Sequence, residues 1–592
     1  MALTLMGISL FSTNVHAQRA RIAPEAASNR ATKSATTAKT YMIAAANPLA
    51  VKAGLEMLAR GGSAVDAAIA VQLVLNLVEP QSSGLGGGAF LLHWNSATKT
   101  LKTYDGREQA PASAHPNRFL RQGKRIPFRK AVKSGLSIGI PGLARLLAHA
   151  HSRHGKLPWK ALFQPAINLA EQGFRVSSRL ALLLYLQGPE TFVPSARAYF
   201  FDKTGASRPI GYLLKNPDFA RTLRLLRDQG AASFYEGPIA NSIIEAVRAA
   251  PNFKGDITAA DLKAYRVIER PPICITYRRH NICGMGPPSS GAITVAQAMK
   301  ILEHFELGTS PRDALRPSLM HLIAEAEKLA FADRNRYLAD PEFVAIPTGL
   351  LNETYLAARA KLIDPRRAAT SPPAPGLPPS TSLQKFGKDA TKESVGTSHI
   401  SIIDANGNAV SMTTTIESAF GSGSWAGGFL LNNELTDFSF HPKDRQGRPI
   451  ANRVESGKRP RSSMAPTMVF DQQGRLEMVL GSPGGSRIIL YVIKALVGII
   501  DWKLDPQTTA AMINFGSRGK SFELEYDAAF TTVDILAPWR HAPAIWHAIR
   551  MKPLGHRIRP DWMTSGLHIL VRRNGIILGA ADPRREGIAR GK

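Results

Sequence analysis

An Asn-Gly dipeptide between two β-rich runs does most to limit how this chain can fold. His399 to Asp404 is a β-branched run, Ala405-Asn406-Gly407-Asn408 follows, and Ala409 to Ile416 is a second run rich in Thr and Val. Such residues favour extended backbone, and Asn-Gly suits the two positive-φ positions of a type I′ turn, so the stretch is predicted as a β-hairpin. A turn centred on Asn406-Gly407 sets Thr397 opposite Ile416, give or take one residue for a bulge. Thr415 then becomes a near neighbour of Thr397.

Two threonines distant in sequence are thereby placed side by side, just where a Pro-rich segment ends. Gly396 leaves the carbonyl before Thr397 sterically open. A threonine hydroxyl that attacks the preceding carbonyl forms an ester that water hydrolyses. The freed α-amine titrates at roughly 7.7–8.0 before perturbation, and can then serve as base for its own hydroxyl. Alone, a Thr-rich strand is more often only a strand, so the remaining motifs decide.

The chain has 592 residues, too many for one small core, which leaves two large units or one layered unit. With 44% hydrophobic and 20% charged residues it is a folded, globular type. A net charge of +29 suits anionic partners. The cations are scattered, however, without zinc spacing, an RNA-binding aromatic signature or a basic tail, which argues against nucleic acid. Residues 1–17 carry an apolar run from Ala2 to Phe11 and then Val15-His16-Ala17, as in a secretory signal lacking its basic start, so a periplasmic or secreted location is expected. Ala64 to Val78 is short and interrupted by Asp66, Gln72 and Asn76; it reads as a buried helix, and no membrane span is expected. Cys274 and Cys283 lie at a spacing that a hairpin can bridge, although spacing alone does not establish a disulfide.

Ser82 to Phe90 is Gly-rich but runs from helix to strand without Gly-Lys-Ser/Thr, so close backbone packing fits it better than phosphate binding. Arg107 follows a strand, where a guanidinium can meet a carboxylate bidentately. Gly135 to Ile363 reads as mostly helical scaffold. Arg366 to Lys392, containing SPPAPGLPPSTS, reads as an exposed polyproline-II linker. Gly427 to Leu435 reads as a third strand, with Glu434 and Asp437 placed either to hold an ammonium or to sit in a solvated turn. Gly481 to Arg487 opens the apolar helix Ile488 to Ile500. Gly484 and Gly485 there offer free N–H groups at a helix start, as an oxyanion hole does.

The stretches SSGLGGGAF, DGREQAPA, SIGIPG, FYEGPIA, PPSSGA, GTSH, GNAVSMTTT, FGSG, LLNNELTDFS, GKRPRSSMAPT, GSPGGSRII and ADPRREG run in order from about Thr40 to Gly587. In this they resemble the gamma-glutamyltranspeptidase (glutathione hydrolase) family of N-terminal nucleophile hydrolases. The resemblance implies an α/β (α+β) four-layer αββα sandwich. It implies cleavage between Gly396 and Thr397 into a large chain, 18–396, and a small chain, 397–592, that stay together as a heterodimer. Thr397 is then the nucleophile and Thr415 supports its amine. Gly484 and Gly485 form the oxyanion hole; Arg107, Ser462 and Ser463 bind the glutamyl α-carboxylate; Glu434 and Asp437 hold the α-amine. The implied substrates are glutathione and other γ-glutamyl compounds, the acceptors water, amino acids or peptides, and no metal or organic cofactor is implied.

Two positions depart from the family pattern. Glu417 stands where many members have an Asn at the α-amine; a carboxylate there either strengthens the ammonium contact or marks a different substrate. Between Asp437 and Gly457 there is no Tyr, so an open lid is expected. A glutaryl-cephalosporin-type acylase of the same fold is the competing reading, disfavoured because a glutaryl group has no ammonium for Glu434 and Asp437. A non-enzymatic secreted binding protein is a second competitor, but it has no need of nucleophile and oxyanion donors together.

Overall fold

The computed structural model of the chain describes residues 33–379, 386–391, 396–526 and 542–592. The expected signal at 1–17 and parts of the Pro-rich linker fall outside them. The hairpin forms, from Thr397–Ile403 and Ala409–Thr415, but its turn is not type I′. The connection runs from Asp404 to Asn408, and within it only Gly407 has a positive φ, 77°. The Asp404 carboxylate accepts the N–H groups of Asn406 and Asn408 at 2.9 and 3.0 Å, the local bonding that makes Asp a turn residue. This longer loop moves the register by one, so Thr397 pairs with Thr415 and not with Ile416.

The hairpin lies inside a seven-stranded antiparallel sheet. Its order is Ile588–Gly591, Met42–Ala45, Thr397–Ile403, Ala409–Thr415, Gly88–Asn95, Thr100–Gly106 and Ile268–Arg270. A second seven-stranded sheet runs Thr36–Ala38, Ile576–Ala581, His568–Arg573, Leu476–Gly481, Thr467–Phe470, His280–Gly284 and Ile273–Tyr277. Successive side chains on a strand point to opposite faces. Thus Ala44, Phe90 and Leu92 of the first sheet join a core with Met468, Val479 and Leu570 of the second. Ile43, Leu91, Ile400 and Val410 face the other way, onto helices Pro48–Ala59 and Ala64–Val78. Helices Gly291–Leu302, Pro317–Tyr337 and Ile488–Ile500 cover the second sheet. The result is the four-layer αββα sandwich, and burial of both faces explains why the hairpin strands carry so few charges.

Helix Ala64–Val78 is buried at every residue and starts with a Ser63–Asp66 capping box. Three expectations are corrected. The stretch Gly135 to Ile363, read as mostly helical, also supplies Ile268–Arg270 and Ile273–Tyr277 at the sheet edges and His280–Gly284 next to the latter, the last two strands joined by a Cys274–Cys283 disulfide. Their polar outer faces, typical of sheet edges, hid them. The third strand, Gly427 to Leu435, is instead a short pairing of Trp425–Ala426 with Phe429–Leu430, followed by a 3₁₀ turn at Glu434–Asp437. Gly427 and Gly428, with φ of 52° and 87°, reverse the chain there. The described parts of the linker are not free: Gly376 donates its N–H to Asp333 at 2.7 Å and accepts from the Tyr337 hydroxyl at 2.6 Å. Asp389 pairs with Arg461 at 2.9 Å. A polyproline-II backbone makes no internal hydrogen bonds, so its groups take side-chain partners from the body.

Candidate active site

Thr397 begins a central strand and is 4% exposed. Across the ladder, the Thr415 hydroxyl donates to the Gly396 carbonyl oxygen at 2.5 Å and accepts the Glu417 N–H at 2.8 Å. Accepting that N–H fixes the rotor, so its proton points at the bond before Thr397. The glycines of the loop 82–90 allow this approach. A Cβ on Gly87 would come within 2.0 Å of the Thr415 carbonyl oxygen, and one on Gly88 within 2.5 Å of the Gly106 carbonyl oxygen. Close backbone packing is what this loop provides. Gly396 is constrained likewise, its Cβ position lying 2.2 Å from the Glu417 carbonyl oxygen.

Arg107, 1% exposed, continues from the strand Thr100–Gly106. Its guanidinium pairs with Glu434 and, at 2.7 Å, with Asp437. The remaining N–H groups donate to the carbonyls of Pro460 and Arg461 at 3.3 and 3.1 Å. The sequence separates an anion-binding arginine from ammonium-binding acids; in this uncut chain they neutralise one another. Four carboxylates, Glu108, Glu417, Glu434 and Asp437, bear on the same spot. Burial, with the neighbouring acids, drives the Glu434 carboxyl well above its ordinary range despite the opposing pull of Arg107. Burial likewise pushes Glu108 up to about 7, again against Arg107, whose guanidinium lies 3.8 Å from its carboxylate. One arginine faces three acids in the cavity lining, Glu417, Glu434 and Asp437, and a cation entering there would favour the ionised form of the carboxyls that burial and crowding now hold up.

Glu417 is held at φ 78°, a backbone state that costs a non-glycine residue about 1–3 kcal/mol and gathers at functional sites. Its carboxylate accepts from Ser418 Oγ and Asn433 Nδ2, each at 2.6 Å. Ser462 Oγ accepts the Met464 N–H at 3.1 Å, and Ser463 Oγ accepts from Arg334 at 2.5 Å. Thr397, Thr415, Arg107, Glu417, Glu434, Asp437, Ser462, Ser463 and Gly485 line one small cavity of about 20 Å³, closed by Met464 and Ile488. Gly484, at φ 143°, stands behind Gly485 and is wedged against Tyr491, whose ring would lie 2.5 Å from an added Cβ. A 3₁₀ turn at Gly485–Arg487 then enters helix Ile488–Ile500. Among the described residues no aromatic ring lines the cavity; Phe440 of the lid segment instead stacks on Phe119 at 4.3 Å, in a separate core.

The sequence profile of the gamma-glutamyltranspeptidase family matches residues 50–591. The chain belongs to that family. The glutathione hydrolase proenzyme of Escherichia coli K12 is 36% identical over 561 residues, covering 92% of this chain and 91% of that protein. The glutathione hydrolase proenzyme of Bacillus subtilis 168 is 37% identical over 482 residues, covering 80% of each. The crystal structure of a cephalosporin acylase from Bacillus halodurans superposes with a TM-score of 0.80 at 26% identity, over 95% of this chain and 97% of the acylase.

Within this family member, Glu108, Asn433, Arg334, Met464 and Ile488 escaped the reading of the sequence. Asn433 and Glu108 sat inside quoted motifs, and a search for polar partners of Arg107 and Glu417 would have found them. Arg334 lies on a helix read as scaffold, and only the fold brings it to Ser463. Among the described residues, His321, Glu325 and His556 form a buried group whose ligand atoms lie within 4.8 Å of one another. There the two imidazoles hydrogen-bond at 2.8 Å and the Lys328 ammonium sits on Glu325 at 2.6 Å. These three residues do not line the Thr397 cavity.

Proposed function

We propose that this protein cuts itself before Thr397 and then works as a gamma-glutamyltransferase and glutathione hydrolase. The observation that carries this reading is the Thr415 hydroxyl bonded to the Gly396 carbonyl beside Thr397. In the precursor, Thr397 Oγ attacks the Gly396 carbonyl carbon. The C–N bond gives way to a C–O ester, the hydroxyl proton passes to the departing nitrogen to make a free amine, and water then hydrolyses the ester to release two chains. The Thr415 proton polarises the carbonyl under attack, and such a donor is worth on the order of 3 kcal/mol in acyl transfer.

The freed amine of Thr397 then takes the proton of its own hydroxyl as that oxygen attacks a γ-glutamyl amide. Gly484 and Gly485 supply N–H groups for the oxyanion. Arg107, Ser462 and Ser463 receive the α-carboxylate, while Glu417, Glu434 and Asp437 receive the α-ammonium. Water, an amino acid or a peptide breaks the resulting γ-glutamyl ester. The fold supports a durable heterodimer of large and small chains, because Met42–Ala45 of the first is hydrogen-bonded between Thr397–Ile403 and Ile588–Gly591 of the second. A Cys274–Cys283 disulfide supports the periplasmic or secreted location suggested by residues 1–17.

Intact mass and N-terminal sequencing of the purified protein test the first half. Two chains, the smaller beginning Thr397-Ser398-His399, are expected; a chain that stays whole on incubation overturns it. Parallel assays with γ-glutamyl and glutaryl p-nitroanilides test the second half. The crowd of carboxylates favours the γ-glutamyl group, and faster cleavage of the glutaryl anilide would assign the acylase activity instead.

A further inference from the structure

Beside the reaction centre lies a second, larger cleft of about 640 Å³, within the size range of ligand and peptide sites. Phe128, Phe440 and Ile450 give it an apolar floor. Its rim is cationic, carrying Arg125, Lys388, Lys443 and Arg445. Among the described residues none of these four is ion-paired, whereas the fifth cation, Arg448, is bound to the only acid in the lining, Asp444, at 2.7 Å.

The cleft adjoins the catalytic cavity. Thr436 and Ser439 line the cleft and lie on either side of Asp437, which lines the cavity. Thr391 also lines it, and the chain from there to Gly396 spans at most about 18 Å even when fully extended. Charge therefore reverses over a short distance. The inner cavity is lined by three carboxylic acids, Glu417, Glu434 and Asp437, around one arginine, and the outer cleft has four cations without an ion-pair partner among the described residues.

We propose that this cleft receives the portion of substrate or acceptor beyond the scissile amide and selects carboxylate-rich peptides over neutral ones. The proposal rests on the γ-glutamyl-transfer reading of the Thr397 site. Once a glutamyl group fills the small inner cavity, the rest of the substrate must lie outside it. The inner acids repel an anionic tail and the outer cations attract it, so a peptide with one ammonium at its glutamyl end and carboxylates beyond is oriented by both. A single exposed cation contributes little against screening. Several converging on an apolar floor raise the local concentration of an anionic ligand by about tenfold or more.

The test uses the mature enzyme with γ-glutamyl-triglutamate, γ-glutamyl-trialanine and γ-glutamyl p-nitroanilide, and follows binding of fluorescein-labelled triglutamate by anisotropy. At low salt, kcat/KM for the triglutamate substrate is expected to exceed that for the trialanine substrate by about tenfold, converging at high salt. The combined variant Lys388→Gln, Lys443→Gln, Arg445→Gln is expected to lose that preference and the labelled-peptide binding while hydrolysing the anilide normally. Equal rates on the two peptides, or a loss shared equally with trialanine, overturns the proposal. A wild-type enzyme inert on every γ-glutamyl substrate that still binds triglutamate through these cations overturns the γ-glutamyl reading and leaves the cleft's selectivity standing. Absence of that binding removes the cleft's role.

Discussion

The Thr415 hydroxyl donates to the carbonyl oxygen of Gly396, 2.5 Å away, and that carbonyl belongs to the peptide bond that Thr397 must attack. Thr415→Val keeps the shape of the side chain and removes the donor. Self-cleavage is expected to slow by about 10²-fold, the loss typical of one oxyanion donor, while Thr415→Ser restores most of the rate. A time course of precursor and products on denaturing gels reads both.

Gly87 lets Thr415 occupy that place, since a Cβ there would sit 2.0 Å from the Thr415 carbonyl oxygen. Gly87→Ala forces the strand to shift at a cost of about 1–3 kcal/mol. A lower denaturant midpoint together with slowed self-cleavage is expected; loss of stability with normal processing would separate Gly87 from the positioning of Thr415.

Arg107 is the counter-ion of two buried acids, Glu434 and Asp437. Arg107→Gln removes the shared counter-ion of both and is expected to destabilise the fold by about 3–5 kcal/mol. Arg107→Lys keeps the charge but not the fork that reaches both carboxylates. It should retain most stability and raise KM for γ-glutamyl substrates, as urea melts and steady-state kinetics can measure.

Burial, opposed by Arg107, pushes Glu108 up to about 7, whereas glutamate in an unfolded chain titrates near 4.3. Between those values the folded protein holds a proton that the unfolded chain has released. Stability from this group is therefore full at low pH and is lost as pH rises toward 7, by on the order of 3 kcal/mol at most. Urea midpoints should fall across that window, and Glu108→Gln should remove that part of the slope. Deprotonation also adds a negative charge 3.8 Å from the Arg107 guanidinium, next to the lining acids, so KM for an ammonium-bearing substrate is expected to fall over the same range.

Cys274 and Cys283 close a short hairpin at a sheet edge. A loop of that length gives about 2–3 kcal/mol by chain entropy. Replacing both with Ser should lower the denaturant midpoint and leave self-cleavage unchanged, because neither lines the Thr397 cavity.

Local patterns in the sequence determined much of this protein. Alternating β-branched residues about a turn signal dictated the hairpin, and Pro-started, Gly-ended apolar runs dictated helices such as Pro217–Gln229. The quoted motifs carried the family and nearly all of the residues that now line one cavity. Packing decided the rest. The one-residue register that sets Thr397 against Thr415 follows from the Asp404 side chain capping the turn, and a propensity pattern does not distinguish that loop from a two-residue turn. Arg107 reads as an anion binder until the 3₁₀ turn Glu434–Asp437 is brought against it across more than three hundred residues of chain. The basic cleft is likewise absent from any single stretch, because Arg125, Lys388 and Lys443 meet only when distant loops fold over Phe440. Backbone propensity acts between near neighbours, whereas burial and charge balance are set by whatever the fold places within a few ångströms.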